Sequence, residues 1–321
     1  MVTVFGSINL DVSVPTKHLP NVGETVMGGA ALISPGGKGA NQAHAARLFD
    51  VPTRLFGVVG QDAFAEPALA SLSNIGVDIT GITSTASQRT GLAVITVNEN
   101  GDNSIVVSAG ANLEAYSAMV SDHILDETRV LLLQLEVPAA ESFRLAHRAR
   151  QRGCKVILNV SPISDAVDID FSAIDILIVN EIEIEQISRR LGITATDSVG
   201  LAVAVSQAHN VDVLVTMGEN GSVLSQTDDR LFVTPTMQVT PIDTTGAGDT
   251  YTGVFAAALA SGSSAVQAMS SASVAASLVC TRLGAQAAQF SREEIEKHLI
   301  SEAHTTEFAA GYADNYITGC A

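Results

Sequence analysis

The chain has 321 residues, of which 46% are hydrophobic and 16% charged, and it carries a formal net charge of −17 at pH 7. Such a composition belongs to a globular protein with a substantial core and excludes a disordered chain. The acidic balance, without a dense Lys/Arg cluster, argues against nucleic acid and anionic membranes as main partners. A small anionic ligand is compatible with it, provided that a local pocket supplies N–H groups and one or two cations.

The three cysteines, Cys154, Cys280 and Cys320, form no C-x-x-C pair, which predicts reduced thiols and an intracellular protein. Residues 1–6 lack the basic segment of a signal peptide, and no long uncharged apolar run predicts a membrane span. We therefore expect a cytoplasmic location and no membrane partner.

Two strands are predicted at the start of the chain. Residues 2–5 are a short apolar run, typical of a strand buried on both faces, and residues 10–14 alternate as a half-exposed strand does. Asn9 and Asp11 then lie at a strand end. A turn-forming role for Asn9 and a solvent-facing role for Asp11 are the simplest interpretations.

The glycine-rich segment Gly36-Gly37-Lys38-Gly39-Ala40-Asn41 leads into a helical pattern over residues 43–48. It is not a Walker A loop, because Leu32 occupies the leading glycine position. We expect a close-contact surface from which Lys38 and Asn41 face outward.

Strand-like runs follow at residues 54–59, 92–97 and 104–108, and Asn100-Gly101 is a strong hairpin signal between the last two. A hairpin that interrupts a β/α alternation predicts a small antiparallel sheet set apart from the main one, and a lid is a natural use for it. The expected lid strands lie at about 10–14, 24–34 and 91–109.

From Arg129 onwards, strands and helices alternate. The predicted strands are residues 130–135, 155–159, 174–179 and 211–216. The predicted helices are residues 139–152, 181–191 and 198–209. This alternation predicts a parallel sheet covered by helices, with ligands at the carboxyl ends of the strands. The polar residues at those ends are Glu136, Asn159, Asn180 and Thr216.

Two polar runs near those ends have two interpretations each. Asn180-Glu181-Ile182-Glu183 has nearly the spacing of a capping box, and a carboxylate that holds Mg²⁺ through water is the alternative. Gly218-Glu219-Asn220-Gly221 has turn chemistry, and nucleotide contact is the alternative.

The chain is organised around Asp243-Thr244-Thr245-Gly246-Ala247-Gly248-Asp249-Thr250, between a strand-like run at 237–240 and a helical run at 247–261. Its glycines allow close approach to a ligand. The helix start directs unpaired N–H groups and positive charge at that ligand, which favours phosphate. A carboxylate at Asp249 would repel a phosphate, so its presence here calls for a role. Accepting a proton from an attacking hydroxyl is the role that fits. Helix capping is the alternative role for Asp249.

Helical runs at 265–283 and 292–300 complete the pattern, and residues 301–321 show little periodicity. No repeat and no linker divides the chain. We therefore predict one domain over residues 1–300, followed by a C-terminal tail.

Together these segments make the sequence resemble the ribokinase-like (PfkB) carbohydrate kinase family over residues 1 to about 300, and the ribokinases most closely. Residues 36–42 look like the N-terminal signature and residues 243–250 like the C-terminal one. Further matching segments, in the family's order, are residues 6–11, 133–136, 180–183 and 216–218. The resemblance implies an α/β fold, a Rossmann-like αβα sandwich with a β-sheet lid that closes over the sugar and often forms a dimer contact, so we expect a homodimer.

The same resemblance implies roles for single residues. Asp249 would be the base that activates the primary sugar hydroxyl, and the backbone of Gly246, Ala247 and Gly248 would be the anion hole. The residues that would hold the sugar are Asn9, Asp11, Gly37, Lys38, Asn41 and Glu136. The residues that would line the ATP site are Asn180, Thr216, Gly218 and Gly221. Glu183 would organise the Mg²⁺ shell.

Ribokinases are also activated by a monovalent cation, usually K⁺, next to the anion hole. The matching positions are Asp243, Thr245, Val279, Arg282 and Gly284, most of them acting through main-chain carbonyls. The chain departs from the family pattern at Ala287-Ala288, where Pro-Ser is usual. One hydroxyl expected near the ion is therefore missing, which leaves the strength of K⁺ activation open.

The resemblance favours ATP-dependent phosphorylation of the primary hydroxyl of a pentose, D-ribose to D-ribose 5-phosphate. Kinases for deoxyribose, fructose or pseudouridine share the frame, and a non-catalytic sugar-binding regulator is the alternative class. Loss of Asp249 or of the glycines would favour the regulator, and neither is lost. A dinucleotide-dependent dehydrogenase is disfavoured because no G-x-G-x-x-G follows the first strand.

Overall fold

The computed structural model describes residues 1–164, 166–286, 289–301 and 306–309. Its strands, in chain order, are β1 (Val2–Phe5), β2 (Asn9–Pro15), β3 (Leu32–Gly36), β4 (Thr53–Gly60), β5 (Asp78–Thr85), β6 (Gly91–Val97), β7 (Asn103–Ser108), β8 (Val130–Leu133), β9 (Lys155–Asn159), β10 (Ile176–Asn180), β11 (Asp212–Thr216), β12 (Ser222–Ser225), β13 (Arg230–Thr234) and β14 (Thr306–Ala309). Its α-helices are α1 (Lys38–Leu48), α2 (Ala65–Asn74), α3 (Asp122–Glu127), α4 (Ala139–Gln151), α5 (Glu181–Leu191), α6 (Ser198–His209), α7 (Ala247–Ala260), α8 (Ala265–Cys280) and α9 (Arg292–Ser301). Within these ranges, no helix is both long and apolar enough to span a lipid bilayer.

The described residues form a large central sheet with the strand order β14-β13-β12-β11-β10-β9-β8-β1-β4-β5. Neighbours from β11 to β5 run parallel, whereas β12, β13 and β14 pair antiparallel. Every residue of β1 and of β8 is buried. Apolar side chains on both faces of such strands require a helical layer on each side of the sheet.

The two helical layers enclose two separate cores. One core contains residues of α1, α2, α7, α8 and α9, with side chains such as Leu72, Phe255 and Ile295. The other contains residues of α3, α4, α5 and α6, with side chains such as Leu125, Leu145 and Ile184. The α/β class and the αβα sandwich predicted from the resemblance are thereby confirmed.

A second sheet has the order β3-β2-β6-β7. Its outer pairs are antiparallel, and β2 pairs with β6 in parallel. The strand expected at residues 24–34 begins only at Leu32, and residues 24–31 have no regular secondary structure. Gly28 and Gly29 lie in this segment, where glycine has no side chain to pack.

Some element boundaries differ from the sequence prediction. The strand predicted at residues 237–240 is wrong, since that segment has no regular secondary structure; it lies between Pro235 and Pro241, which cannot donate to a sheet. The helix predicted to Leu283 ends at Cys280. In the predicted tail, β14 pairs with β13, while residues 302–305 and 310–321 lie outside the described residues.

Candidate active site

The start of α7 is built on a left-handed glycine. Gly246 is the N-cap residue with φ 79°, and a Cβ there would lie 2.5 Å from Cβ of Ala285. A helix leaves its first N–H groups without intrahelical partners. The N–H of Ala247 donates to the carbonyl oxygen of Thr244 at 3.2 Å. The donors and positive charge that this helix start offers to an anion therefore come from the N–H groups that follow, beginning with Gly248.

Asp249 lies in the first turn of α7 and is buried. Oδ2 accepts a hydrogen bond from Nδ2 of Asn41 at 2.9 Å, and Oδ1 accepts one from Nε2 of Gln42 at 3.0 Å. A carboxylate fixed on both oxygens by neutral amides, beside a helix start, is placed to accept a proton.

A cluster of hydrogen-bond acceptors lies where β2, α1 and the end of β8 meet. Oε2 of Glu136 accepts hydrogen bonds from the Ser7 hydroxyl at 2.6 Å and from the Lys38 backbone N–H at 3.2 Å. Oδ1 of Asn9 accepts one from Nδ2 of Asn112 at 2.7 Å. Oδ1 of Asp11 is buried and has no hydrogen-bond partner among the described residues. Such acceptors suit a ligand with several hydroxyl groups.

Gly37 permits this close approach of β2 to α1. It has φ 89°, and a Cβ would lie 2.8 Å from the backbone N of Asn9 and 2.9 Å from the carbonyl oxygen of Ser7. Any other residue would therefore separate the start of α1 from the strand that carries Asn9 and Asp11.

The electrostatics of the cluster are dominated by carboxylates. Burial raises the pKa of Asp11 to about 6, and the charges of Glu136 and Asp249 add to that rise. Burial alone would lower the pKa of the Lys38 ammonium, but Asp249, Glu136 and Glu183 together raise it above its usual value. Lys38 is thus a charged ammonium facing three carboxylates.

A cavity of about 420 Å³ lies on the other side of the α7 start. Thr216, Gly218 and Gly221 line it, as does the first turn of α7 through Ala247 and Gly248. Its apolar wall comes from residues that the sequence did not single out: Met237, Val239, Pro241, Tyr251 and Ala276. A cavity with an apolar wall and a helix N-terminus suits a flat ring that carries an anionic group.

Asn180 does not line this cavity; its side chain accepts a hydrogen bond from the Glu183 backbone N–H at 2.8 Å. Oε2 of Glu183 in turn accepts one from the Asn180 backbone N–H at 2.9 Å, which completes a capping box. Burial raises the pKa of Glu183, and Asp249 adds to the effect. The capping interpretation is therefore correct, and the same carboxylate also faces Lys38 and Asp249.

The residues matched to a monovalent-cation site come from two segments that meet at Asp243. Oδ1 of Asp243 accepts the backbone N–H of Thr245, and Oδ2 accepts that of Gly284, both at 2.8 Å. The carbonyl oxygen of Val279 accepts the backbone N–H of Arg282 at 3.1 Å. Burial opposes ionisation of Asp243, but hydrogen bonding by the Thr245 side chain and by the backbone N–H groups of Gly284 and Thr245 lowers its pKa. Ala287 and Ala288 lie outside the described residues.

Oxygen donors at this turn fit a monovalent cation, which prefers carboxylate and carbonyl ligands. In the described part of the chain, no three His, Cys, Asp or Glu residues cluster as a metal site would require. Mg²⁺, which keeps several waters and binds through one or two carboxylates and substrate phosphates, needs no such cluster. Glu183 is the buried carboxylate that fits this second pattern.

Three buried glutamines near Asp249 received no role from the sequence. Gln42, Gln134 and Gln286 are buried and hydrogen-bond to the network around Asp249. The available signal was chemical: Gln134 interrupts an apolar strand, and a polar residue there needs a buried partner. Which partner it finds depends on contacts across more than 90 residues of sequence.

Three comparisons agree with this geometry. Residues 1–291 match the family model described as pfkB family carbohydrate kinase. The chain is 33% identical to a ribokinase of Haemophilus influenzae, covering 91% of this chain and 96% of the relative. It is 31% identical to a deoxyribokinase of Salmonella typhi, covering 93% and 98%.

A solved structure of Arabidopsis thaliana ribokinase, complexed with ribose and ATP, superposes with a TM-score of 0.85 at 32% identity, covering 94% of this chain and 99% of that one. The family match spans most of the chain and includes both the start of α1 and the start of α7. The chain therefore belongs to the pfkB family of carbohydrate kinases.

Proposed function

We propose that this protein transfers the γ-phosphoryl group of ATP to the primary hydroxyl of a pentose, with D-ribose to D-ribose 5-phosphate as the main reaction. One observation carries the proposal: Gly248 lines the 420 Å³ cavity, whereas the next residue, Asp249, is bonded to Asn41 and Gln42 on the opposite side. The helix start thus lies between the 420 Å³ cavity and a cluster of acceptors for hydroxyl groups. A phosphoryl group that crosses it passes the N–H group of Gly248.

On the sugar side, Asp11 and Glu136 supply acceptors for sugar hydroxyls. A hydroxyl bonded to Oδ1 of Asp11 would satisfy a buried oxygen that has no other partner in the described ranges. The Lys38 ammonium would offset part of the negative charge that the carboxylates present to the incoming phosphate.

In the chemical step, the primary hydroxyl oxygen attacks the γ-phosphorus while Asp249 accepts the hydroxyl proton. A bond forms between the sugar oxygen and phosphorus, and the bond from phosphorus to the β–γ bridging oxygen breaks. ADP leaves with that electron pair. The N–H groups at the start of α7 stabilise the charge on the transferred group.

Two cations complete the proposal. Glu183 would hold Mg²⁺ through water, and the ion would neutralise charge on the ATP phosphates. Asp243 and the turn containing Gly284 would hold K⁺, whose charge would support the adjacent helix start. Omission of either ion tests its role, and full turnover without it would contradict that role.

The identity of the sugar rests on similarity. A relative named ribokinase and a relative named deoxyribokinase have 33% and 31% identity to this chain, so both pentoses are candidates. Ribose is favoured because the Arabidopsis protein with a TM-score of 0.85 was solved with ribose and ATP. Deoxyribose is the second candidate.

The proposal is tested by ADP release with Mg-ATP against ribose, 2-deoxyribose, fructose, adenosine and pseudouridine, with and without K⁺. Turnover on ribose, stimulated by K⁺, is the expected result. Preference for deoxyribose or another acceptor would overturn the assignment of ribose as substrate but not the assignment of kinase activity. Binding of ribose without turnover on any sugar would instead support a sugar-binding regulator.

We also propose that the β3-β2-β6-β7 sheet acts as a lid and as a homodimer contact. All six residues of β7 are exposed, and Ile33, Val94 and Val106 are exposed in paired positions of the sheet. An apolar surface of this kind is typical of an interface. A monomeric mass in solution, or a dimer that survives Val106→Asp, would contradict this contact.

A cytoplasmic location is proposed because Cys154 and Cys280 are both unpaired thiols in the structure, and reduced thiols are typical of that compartment. Fractionation of the native cells tests it, and recovery of the protein outside the cytoplasm would contradict it.

A further inference from the structure

The hydrogen bonds to Asp249 extend beyond its two donors. Asn41 and Gln42 are neighbours on α1, and each amide is itself held by further side chains. An amide can turn over and exchange its donor for its acceptor, so Asp249 receives two N–H groups only if both amides are fixed.

On the inner side, the direction of the network is set by a backbone carbonyl. Nδ2 of Asn159 donates to the carbonyl oxygen of Ile178 at 3.2 Å, which leaves Oδ1 of Asn159 to accept from Nε2 of Gln42 at 3.0 Å. Oε1 of Gln42 then accepts from Nε2 of Gln134 at 2.6 Å. Since a carbonyl oxygen only accepts, this series leaves one orientation for Gln42, with its NH₂ group toward Asp249.

On the outer side, Gln286 holds Asn41. Nε2 of Gln286 donates to Oδ1 of Asn41 at 2.8 Å, and the Ser71 hydroxyl donates to Oε1 of Gln286. Gln286 is 5% exposed, and Gln42 is fully buried. Both glutamines therefore act where water cannot replace a lost hydrogen bond.

We propose that Gln42 and Gln286 are positioning residues for Asp249, which they hold from the sheet side and from the α8–α9 loop side respectively. The proposal rests on the proposed function, because it assigns their effect to the base of a phosphoryl transfer. Gln286 touches Asn41 and not Asp249, so it acts through a second residue. A base that is misplaced by about 1 Å loses on the order of 10²-fold in rate.

The test compares Gln42→Met and Gln286→Met, which keep much of the side-chain volume but remove the amide. We expect kcat to fall by about 10- to 100-fold for Gln42→Met and by about 3- to 10-fold for Gln286→Met, with both KM values changed less than about threefold. The ratios are measured with whichever sugar the wild-type protein phosphorylates. Failure of the ribose assignment is then separate from failure of this proposal.

A matched control is Gln226→Met. Gln226 has a buried amide oxygen and its NH₂ group donates to Asp212 at 3.0 Å. Asp212 is the first residue of β11, at the opposite end of that strand from Thr216. We expect Gln226→Met to lower the Tm without changing kcat. Equal kcat values for the Gln42 and Gln226 variants, both folded, would overturn the positioning role.

The decisive measurement places each substitution in an Asp249→Asn background. If a glutamine acts through the carboxylate, its loss should change the residual turnover by less than about twofold there, although it costs at least several-fold in the wild type. If a glutamine substitution lowers turnover by the same factor with Asp249 and with Asn at position 249, the role of that glutamine is purely structural. If Gln42→Met does not fold, Gln286→Met decides the proposal by the same cycle.

Discussion

The side-chain carboxylates of Asp11 and Glu136 lie near each other in the site. Burial raises the pKa of Asp11 to about 6, and the charge of Glu136 adds to that rise. Between about pH 4 and pH 6, Asp11 is therefore protonated in the folded protein and ionised in the unfolded chain. As the pH rises from about 4 through 6, this difference removes stability from the ligand-free protein.

We expect Asp11→Asn to raise the free energy of unfolding at pH 8 by up to about 3 kcal/mol, since one pKa unit is worth about 1.4 kcal/mol. The gain should vanish below about pH 4, and affinity for the sugar should fall. Urea denaturation at pH 4, 6 and 8 measures the first effect and calorimetry the second. A pH-independent difference between the two proteins would contradict the assignment.

His44 should have the opposite effect in a similar pH range. Its imidazole is buried on α1, and burial lowers its pKa to about 4. As the pH falls below about 6.5, the imidazole of His44 becomes protonated in the unfolded chain but stays neutral in the folded protein until about pH 4. The folded protein therefore loses stability as the pH falls from about 6.5 to 4.

His44→Leu should therefore flatten the acid side of the stability curve, by up to about 3 kcal/mol at pH 4. Thermal unfolding at several pH values measures this. His123→Leu removes an imidazole whose side chain is 82% exposed and is the matched control for the loss of a buried one. An unchanged slope in the His44 variant would mean that the imidazole is protonated in the folded protein.

Asp249→Asn should keep sugar and ATP binding while turnover falls by about 10²- to 10⁴-fold, the usual range for loss of a general base. Calorimetry and ADP release measure the two properties. Asp50→Asn is a suitable control, because Asp50 is exposed and has φ 60°, a conformation that asparagine tolerates. Retained turnover in the Asp249 variant would remove this residue from the role of base.

Two glycines of one turn should respond differently to alanine. Gly248 has nothing within 4 Å of a built Cβ, so Gly248→Ala should fold and gain up to about 1 kcal/mol from helix propensity. The added methyl would project at the cavity wall and lower turnover by about 10-fold or more. Gly246→Ala should instead lose about 1 to 3 kcal/mol, because φ 79° is strained for alanine and Ala285 is in the way. Equal stability losses in both variants, measured by denaturation, would contradict this account.

Local patterns predicted much of the fold. The bounds of β1, β9, α5 and α6 matched, because buried apolar runs and cap residues are encoded within a few positions. The strands β5, β12 and β13 and the helix α2 were missed. β5 is a half-exposed edge strand, and α2 carries Pro67 and three Ser/Asn residues that weaken a helical pattern.

The candidate site was less predictable than the fold. Asp249 could be identified because a carboxylate beside an anion pocket repels the ligand and so indicates a chemical role. Glu183 could be identified because it follows the end of a predicted strand. The partners of Asp249 could not be identified in this way. Gln42 and Gln286 are ordinary polar residues in sequence, and only their burial in the folded protein shows what they hold.

The base and its partners come from opposite ends of the chain. Asn41 lies 208 residues from Asp249 and 245 residues from Gln286. During translation, residues up to 286 must therefore be synthesised before Asp249, Asn41 and Gln286 can form this network. A fragment that stops before residue 249 contains β2 and α1 but lacks the proposed base, so we expect interrupted synthesis to leave inactive protein.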